Sequence, residues 1–262
     1  MSGYAVPIYL PRRRRIVSPV EWLREKIEEQ RRERESTIAA AVAIVQSAQT
    51  AGGANSAVGM LGVGATAGNT IVSFFSQSLA TTPTCASGFT VNATKGIYNA
   101  SADSIWVAYK IATGGETTAT WSPGAGGTAH GVCIWELSGL ASSNTLDGSP
   151  AHTDNLGIVA TGTLTTTTTV PGSIVLIGVG ANAGSGTISN WSSPIAGTIA
   201  TNIGTTTARC FGGSYISSTP ITGADFQANW ATSHVCAMLG IAFQPPAATG
   251  VPDVVMAPLR NY

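Results

Sequence analysis

The chain is predicted to be all-β, an antiparallel two-sheet β-sandwich of jelly-roll-like type with an extended arm and an α-helix before it and a Pro-rich arm after it. Three observations predict this. Short runs rich in Val, Ile, Thr and aromatic residues recur from about residue 41 to residue 243, separated by Gly, Pro and Ser clusters and with no helical pattern between them. The same stretch is rich in Gly, Ala, Thr and Ser and poor in Lys, Glu and Leu, a composition that suits strands joined by tight turns. Finally, charge is concentrated at the N-terminus. Residues 1–36 hold nine of the 13 Lys and Arg and six of the 13 Asp and Glu, leaving Lys95, Lys110, Arg209 and Arg260 against seven acids in the rest. The net charge of zero therefore combines a +3 arm with a −3 body.

The division that follows is an N-terminal attachment arm and charged helix over 1–36, a sandwich over 37–243 and an extended C-terminal arm over 244–262. In the first 17 residues Pro7 and Pro11 bar a helix, and Arg12, Arg13, Arg14 and Arg15 follow. Ser18-Pro19-Val20-Glu21 is a helix start: Ser18 can cap, Pro19 suits the first helical position and Glu21 completes a capping box. The helix is predicted to run from Pro19 to about Ser36. Val20, Trp22, Leu23 and Ile27 give its first turns one apolar face. Beyond Ile27 it is polar all round, supported by pairs such as Glu28–Arg32 and Arg31–Glu35. A helix with so short an apolar face needs a partner to be stable. The apolar run Thr37–Val45 follows acidic helix rather than a short basic region, so it reads as the start of the body and not as a signal sequence.

Strands are expected at Ala41–Gln49, Thr70–Ser78, Ser104–Ala112, Glu116–Trp121, Gly131–Leu137, Ile158–Thr165, Ser173–Val179, Arg209–Ile216, Asp225–Trp230 and His234–Phe243. Turns are marked by Gly52-Gly53, Ser122-Pro123-Gly124, Pro171-Gly172, Gly184-Ser185-Gly186 and Gly212-Gly213. After Gln244 the prolines at 245, 246, 252 and 258 impose an extended tail. No segment reaches the ~18–20 apolar residues of a membrane span.

Residues able to carry chemistry are dispersed. His130, His152 and His234 have no second His or carboxylate at metal-ligand spacing. Asp147, His152 and Asp154 share one loop, which reads as a hydrogen-bonded turn rather than a cation site. Glu136 sits in an apolar strand and is expected to hold a neighbouring turn. No second carboxylate is placed for glycosidase chemistry, and no G-x-S-x-G elbow is present. The glycine runs GVGATAGNT and GVGANAGSG open no helix, so they read as turns and not as phosphate loops. Cys133, Cys210 and Cys236 lie in apolar runs and read, with Cys85, as free thiols rather than disulfides. Trp106, Trp121, Trp135, Trp191 and Trp230, with Tyr98, Tyr109 and Tyr215, read as core, with a sugar-stacking platform as the other reading.

The succession IVQSAQTA, GNTIVSFFS, SIWVAYKIATGGETTATWSPG, HGVCIWELSGL with LDGSP, PGSIVLIGVGA, CFGGSYIS and HVCAMLGIAF resembles a β-sandwich module of phage virion proteins and some bacterial surface proteins, over roughly residues 41–243. The resemblance implies a structural or display module without enzymatic activity or cofactor, carried in the virion. The arms lie outside it. Arg12–Arg15 could neutralise phosphates, but the glutamates that follow favour a protein shell over nucleic acid, since Arg forks match carboxylates. The expectation is a capsid decoration or cement protein. It would be fastened to a major capsid protein or other lattice protein through Arg12–Arg15, Trp22, Leu23 and Ile27, in many copies and without a membrane. A tail or fibre-base protein and a receptor- or glycan-binding display module are the alternatives.

Overall fold

In a computed structural model, the chain is described over residues 18–53, 55–79, 81–99, 102–141, 146–182, 188–192, 198–199 and 208–246. The described residues are mostly β, in antiparallel sheets, with one helix. Helix α1 (Pro19–Ala41) leads into β1 (Ala43–Ala51), β2 (Ala57–Met60), β3 (Thr70–Ser78), β4 (Thr84–Cys85), β5 (Thr90–Val91) and β6 (Gly96–Tyr98). β7 (Asp103–Ile111), β8 (Thr118–Ser122) and β9 (Ala129–Ser138) complete the first half. The second half supplies β10 (Ala151–Thr166), β11 (Ile174–Asn182), β12 (Ile188–Ser192), β13 (Thr198–Ile199), β14 (Ala208–Ile216) and β15 (Ala224–Phe243). The chain divides into two compact units after Arg34.

Each half makes its own sheet. The first has the order β1-β9-β3-β7-β5, with β6 also on β7; the second has the order β10-β15-β11-β14-β13, with β12 on β15. Strands therefore do not pass back and forth between the sheets as the expected jelly-roll connectivity would require. The sheets share one core: Val72, Phe74, Tyr98, Trp135 and Leu137 from the first pack with Ile174, Leu176, Leu239, Ile241 and Phe243 from the second. Three glycines let them fit. A Cβ on Gly178 would lie 2.2 Å from Phe74, on Gly180 2.6 Å from Tyr98 and on Gly212 2.1 Å from Trp135, so each aromatic ring occupies the space above a glycine.

Both outer faces are covered as well. β2, β8 and β4 form a small third sheet over the first. The alternation of β8 turns Ala119 and Trp121 inward, and Trp121 stacks on Phe75 with ring centroids 4.9 Å apart. This explains why β3 is buried on both faces along almost its whole length. The second sheet is covered by its own β10–β15 ribbon. Their register shifts between Thr153 and Leu156, between Leu156 and Val159 and between Val159 and Thr161. Beyond the shifts Leu164, Phe226 and Ala228 join Val175, Ile177 and Val179 in a second core. The ribbon thus bends over the sheet from which it starts.

Five expectations change. Gly212-Gly213 lies within β14 rather than at a turn, and His152 and Asp154 lie on β10 rather than in a loop with Asp147. The helix runs to Ala41, not Ser36, because Thr37–Ala41 is alanine-rich and continues it. Asp225–Trp230 and His234–Phe243 belong to the single strand β15, its bend absorbed by bulges against β10. The short strands β2, β4, β5, β6, β12 and β13 were not anticipated, since two to five residues carry too little alternation to read.

Candidate attachment surface

The N-terminal helix begins as its sequence dictates. Glu21 N–H donates to Ser18 Oγ and Ser18 N–H to Glu21 Oε2, each at 3.2 Å, which closes the capping box. Val20, Trp22, Leu23 and Ile27 are 63, 56, 38 and 58 % exposed. At about 100° per residue Val20, Leu23 and Ile27 form one narrow stripe, and Trp22 projects about 100° to the side of it. The polar face carries Lys26–Glu29, Arg31–Glu28 (3.9 Å) and Arg32–Glu28 (3.7 Å) ion pairs, all exposed and each worth little. Arg12–Arg15 and the tail beyond Pro246 lie outside the described residues and Glu35 is described by backbone only, so of the expected attachment residues the structure places Trp22, Leu23 and Ile27, all on α1.

The body's carboxylates act as fasteners for loops. Glu136, on β9 and 1 % exposed, accepts from Gln46 Nε2 (2.6 Å), Thr66 N–H (2.8 Å) and Asn69 Nδ2 (2.6 Å). Burial alone would raise its pKa, but these hydrogen bonds outweigh it and hold the group below the usual carboxylate range. Gln46 also bonds both the N–H and the C=O of Val63, so the pair anchors loop 61–69 from both sides. Asp147 does the same in the second half: it accepts from Thr169 N–H and Oγ1, Val170 N–H and Ser173 Oγ. Its pKa is also lowered, the hydrogen bonds outweighing burial. Glu116, 2.8 Å from Lys110 Nζ, accepts from Thr113 N–H and Gly114 N–H. It closes a turn in which Gly114 and Gly115 take φ of +107° and +85°, values that favour glycine. Burial opposes its ionisation, yet Lys110 and the Thr113 donors hold its pKa well below normal.

Other candidates separate. Asp154 accepts from Ile97 N–H and its exposed side chain lies 3.7 Å from His152, away from the Asp147 network. His130 Nδ1 is buried without a partner, 3.9 Å from Asp103; burial lowers its pKa and Asp103 partly offsets this. His234, Trp191 and Trp230 are described by backbone only. Trp106, Trp121, Trp135 and Tyr98 are buried, and Tyr109 and Tyr215 half-buried, as the core reading expects. The four cysteines are free thiols. Among the described residues no three His, Cys, Asp or Glu side chains come together as a metal site, and no helix is long and apolar enough to cross a membrane.

No protein-family model matches the chain, and no curated protein or solved structure does either. Sequence reading missed the Gln46–Glu136–Asn69 and Asp147–Thr169–Ser173 networks. Glu136 was recognised as a turn anchor, but its donors lie 67 to 90 residues away, beyond any local spacing rule.

Proposed function

We propose that the protein is a structural component of a phage virion, a capsid decoration or cement protein fastened to the shell through residues 1–36. One observation carries this reading. A capped helix holds four large apolar side chains exposed within eight residues, Val20, Trp22, Leu23 and Ile27, on a chain whose sheets bury their own faces. Two facing antiparallel sheets support a sandwich-type display module. Their segregation by chain half favours the name sandwich over jelly roll.

The mechanism is adhesive. Trp22, Leu23 and Ile27 enter an apolar groove on a lattice protein, and Arg12–Arg15 pair with carboxylates beside it. Burying a large apolar side chain fully gives about 1.5–3 kcal/mol. Three such side chains barely offset the roughly 4–15 kcal/mol lost on association. A single helix is therefore a weak binder, and attachment depends on many copies acting together.

The test is a chain beginning at Thr37, together with a full chain carrying Trp22→Ala, Leu23→Ala and Ile27→Ala. Both are expected to keep the native unfolding transition of the body and to lose co-sedimentation with particles. Normal assembly of either would sink the attachment reading. Glycan binding by the body alone would move it to a receptor-binding module, and recovery with isolated tails rather than shells would place it at the tail.

A further inference from the structure

One end of the first sheet is gathered around a histidine whose Nδ1 is buried and has no hydrogen-bond partner. β3 pairs with β9 on one edge and with β7 on the other. Near the end of β3 the β3–β9 register shifts. Ser76 lies opposite Gly131 and Gln77 opposite Ala129, which leaves His130 as the extra residue of a bulge. A bulge re-aims the side chain it carries. Asp103 opens β7 opposite Ser78 and is buried, and its Oδ1 lies 3.9 Å from His130 Nδ1. The two side chains therefore meet across the end of β3.

Each side of this contact is tied to backbone. His130 C=O accepts from Gly52 N–H at 2.9 Å, just past the end of β1. A Cβ on Gly52 would lie 2.3 Å from Ala129 C=O, so the two chains are in close contact there. Asp103 Oδ2 accepts from Asn99 Nδ2 at 2.7 Å. Asn99 has φ of +55°, and Leu79, whose N–H donates to Ala102 C=O, has φ of +68°. These are the two non-glycine residues at positive φ among those described, and both lie at this corner. Such backbone persists only where its surroundings hold it, and here the Asp103 carboxylate helps to do so.

The corner holds little other charge. Gly52 after β1 and Ser76, Gln77 and Ser78 on β3 do not titrate. β6 brings Tyr98, whose hydroxyl is bonded to Ser76 and kept neutral by burial. β14 brings Cys210, whose Cβ would lie 3.3 Å from a Cβ on Gly131, and Arg209, which is described by backbone only. Among the described side chains, then, Asp103 is the charge that His130 faces. At 3.9 Å the two are not hydrogen-bonded. A proton added at Nδ1 makes a charged donor in a covered site, and its acceptor lies about 1 Å beyond bonding reach.

We propose that His130 and Asp103 form an acid-responsive latch at this end of the first sheet: a proton on His130 Nδ1 draws the ring toward Asp103 and loosens the holds on Gly52 and Asn99. This does not rest on the attachment reading, because it concerns the body alone. Burial lowers the pKa of His130 and Asp103 only partly offsets it, so the folded chain keeps the ring neutral. The stabilisation is thus present above the unfolded value near ~6.5 and is lost as pH falls through the folded value.

Two measurements on the full chain test this. Imidazole titration by NMR is run on wild type and Asp103→Asn, with His130 assigned from the signal lost in His130→Gln. Asp103→Asn keeps an acceptor for Asn99 and removes the charge, so the His130 midpoint is expected to fall by about half a pH unit or more. Hydrogen exchange is compared at about pH 7.5 and about pH 5.5, with rates corrected for the intrinsic effect of pH. In wild type, peptides covering Thr50–Gly53 and Tyr98–Ser104 are expected to open roughly threefold or more faster in acid; in His130→Gln they are expected to be unchanged. Peptides of β11 report that the second sheet is intact. A midpoint that Asp103→Asn does not move overturns the pairing. Corner exchange that ignores pH, or that responds to acid equally in His130→Gln, overturns the latch.

Discussion

Replacing Glu136 tests whether one of the two most buried carboxylates among the described residues is a fastener or a reactive group. Glu136→Ala leaves the Thr66 N–H and Asn69 Nδ2 without their acceptor in a part-buried site, while Gln46 Nε2 keeps Val63 C=O. Each stranded buried donor costs about 1–3 kcal/mol, but neighbouring losses are not additive. No charge is left behind, because the partners are neutral amides, so the two stranded donors set a total of roughly 2–4 kcal/mol. For a chain of this size 1 kcal/mol shifts Tm by about 2–4 °C, so the expected fall is roughly 4–16 °C. Glu136→Gln keeps the volume and one acceptor oxygen, and is expected to lose about 1–2 kcal/mol. The sign with pH is fixed by the direction of the shift. The folded pKa is depressed, so the stabilisation is present above the unfolded value near ~4.3 and is lost as pH falls through the folded value. The gap between wild type and Glu136→Gln should therefore be widest near neutrality and shrink in acid. Thermal unfolding followed by Trp fluorescence from neutral to acidic pH measures both. An unchanged Tm for Glu136→Ala, or a gap that widens in acid, would refute the fastener argument.

Two further outcomes follow from packing. Gly212→Ala places a methyl 2.1 Å from Trp135 Cη2, between two sheets that cannot easily separate, and is expected to cost about 1–3 kcal/mol by overpacking. Gly62→Ala, whose nearest neighbour is 3.9 Å away, is the control; equal Tm values for the two would show that the sheets do not fit as described. Burial pushes the Cys85 and Cys236 thiols up to about 12, and it raises Cys133 well above its ordinary value. Native protein at mildly alkaline pH should therefore react very slowly with a thiol-specific disulfide reagent and release all four thiols only on unfolding. Rapid native labelling would contradict the core placement.

The long strands were legible because each carries a continuous or alternating apolar pattern. TIVSFFSQS and DSIWVAYKI became β3 and β7 with ends within about one residue of expectation. The capping box was legible because it is local, a three-residue contact between Ser18 and Glu21. The assignment of strands to sheets was not, since Val72 and Leu239 have the same pattern whichever sheet they join. The break in β15 was legible, its continuity was not. Ala231-Thr232-Ser233 read as an end of one strand and the start of another; the largest register shift does fall there, two steps on β10 opposing five on β15 between Asn229 and His234, but pairing resumes and the strand continues. Of the candidate attachment surface, the apolar side chains were legible and their exposure was not, because burial is not a local property of the sequence.

That distribution of exposure bears on where the function lies. Eight large hydrophobic residues are exposed among those described, and four of them, Val20, Trp22, Leu23 and Ile27, fall within eight residues of α1. The other four, Val45, Met60, Val63 and Ile111, come from three strands and a loop, and scattered apolar residues of this kind are ordinary on any surface. Meanwhile the small third sheet and the bent β10–β15 ribbon cover the outer faces of both large sheets, so the stack needs no partner to complete its core. The helix is in the opposite position. Its packing groups are presented and its charges are spent on weak surface pairs, so tertiary contact with a partner is what would stabilise it beyond its intrinsic propensity. On the attachment reading proposed above, a chain that packs its own sheets and leaves the apolar side chains of its N-terminal helix exposed would use that helix to find a surface.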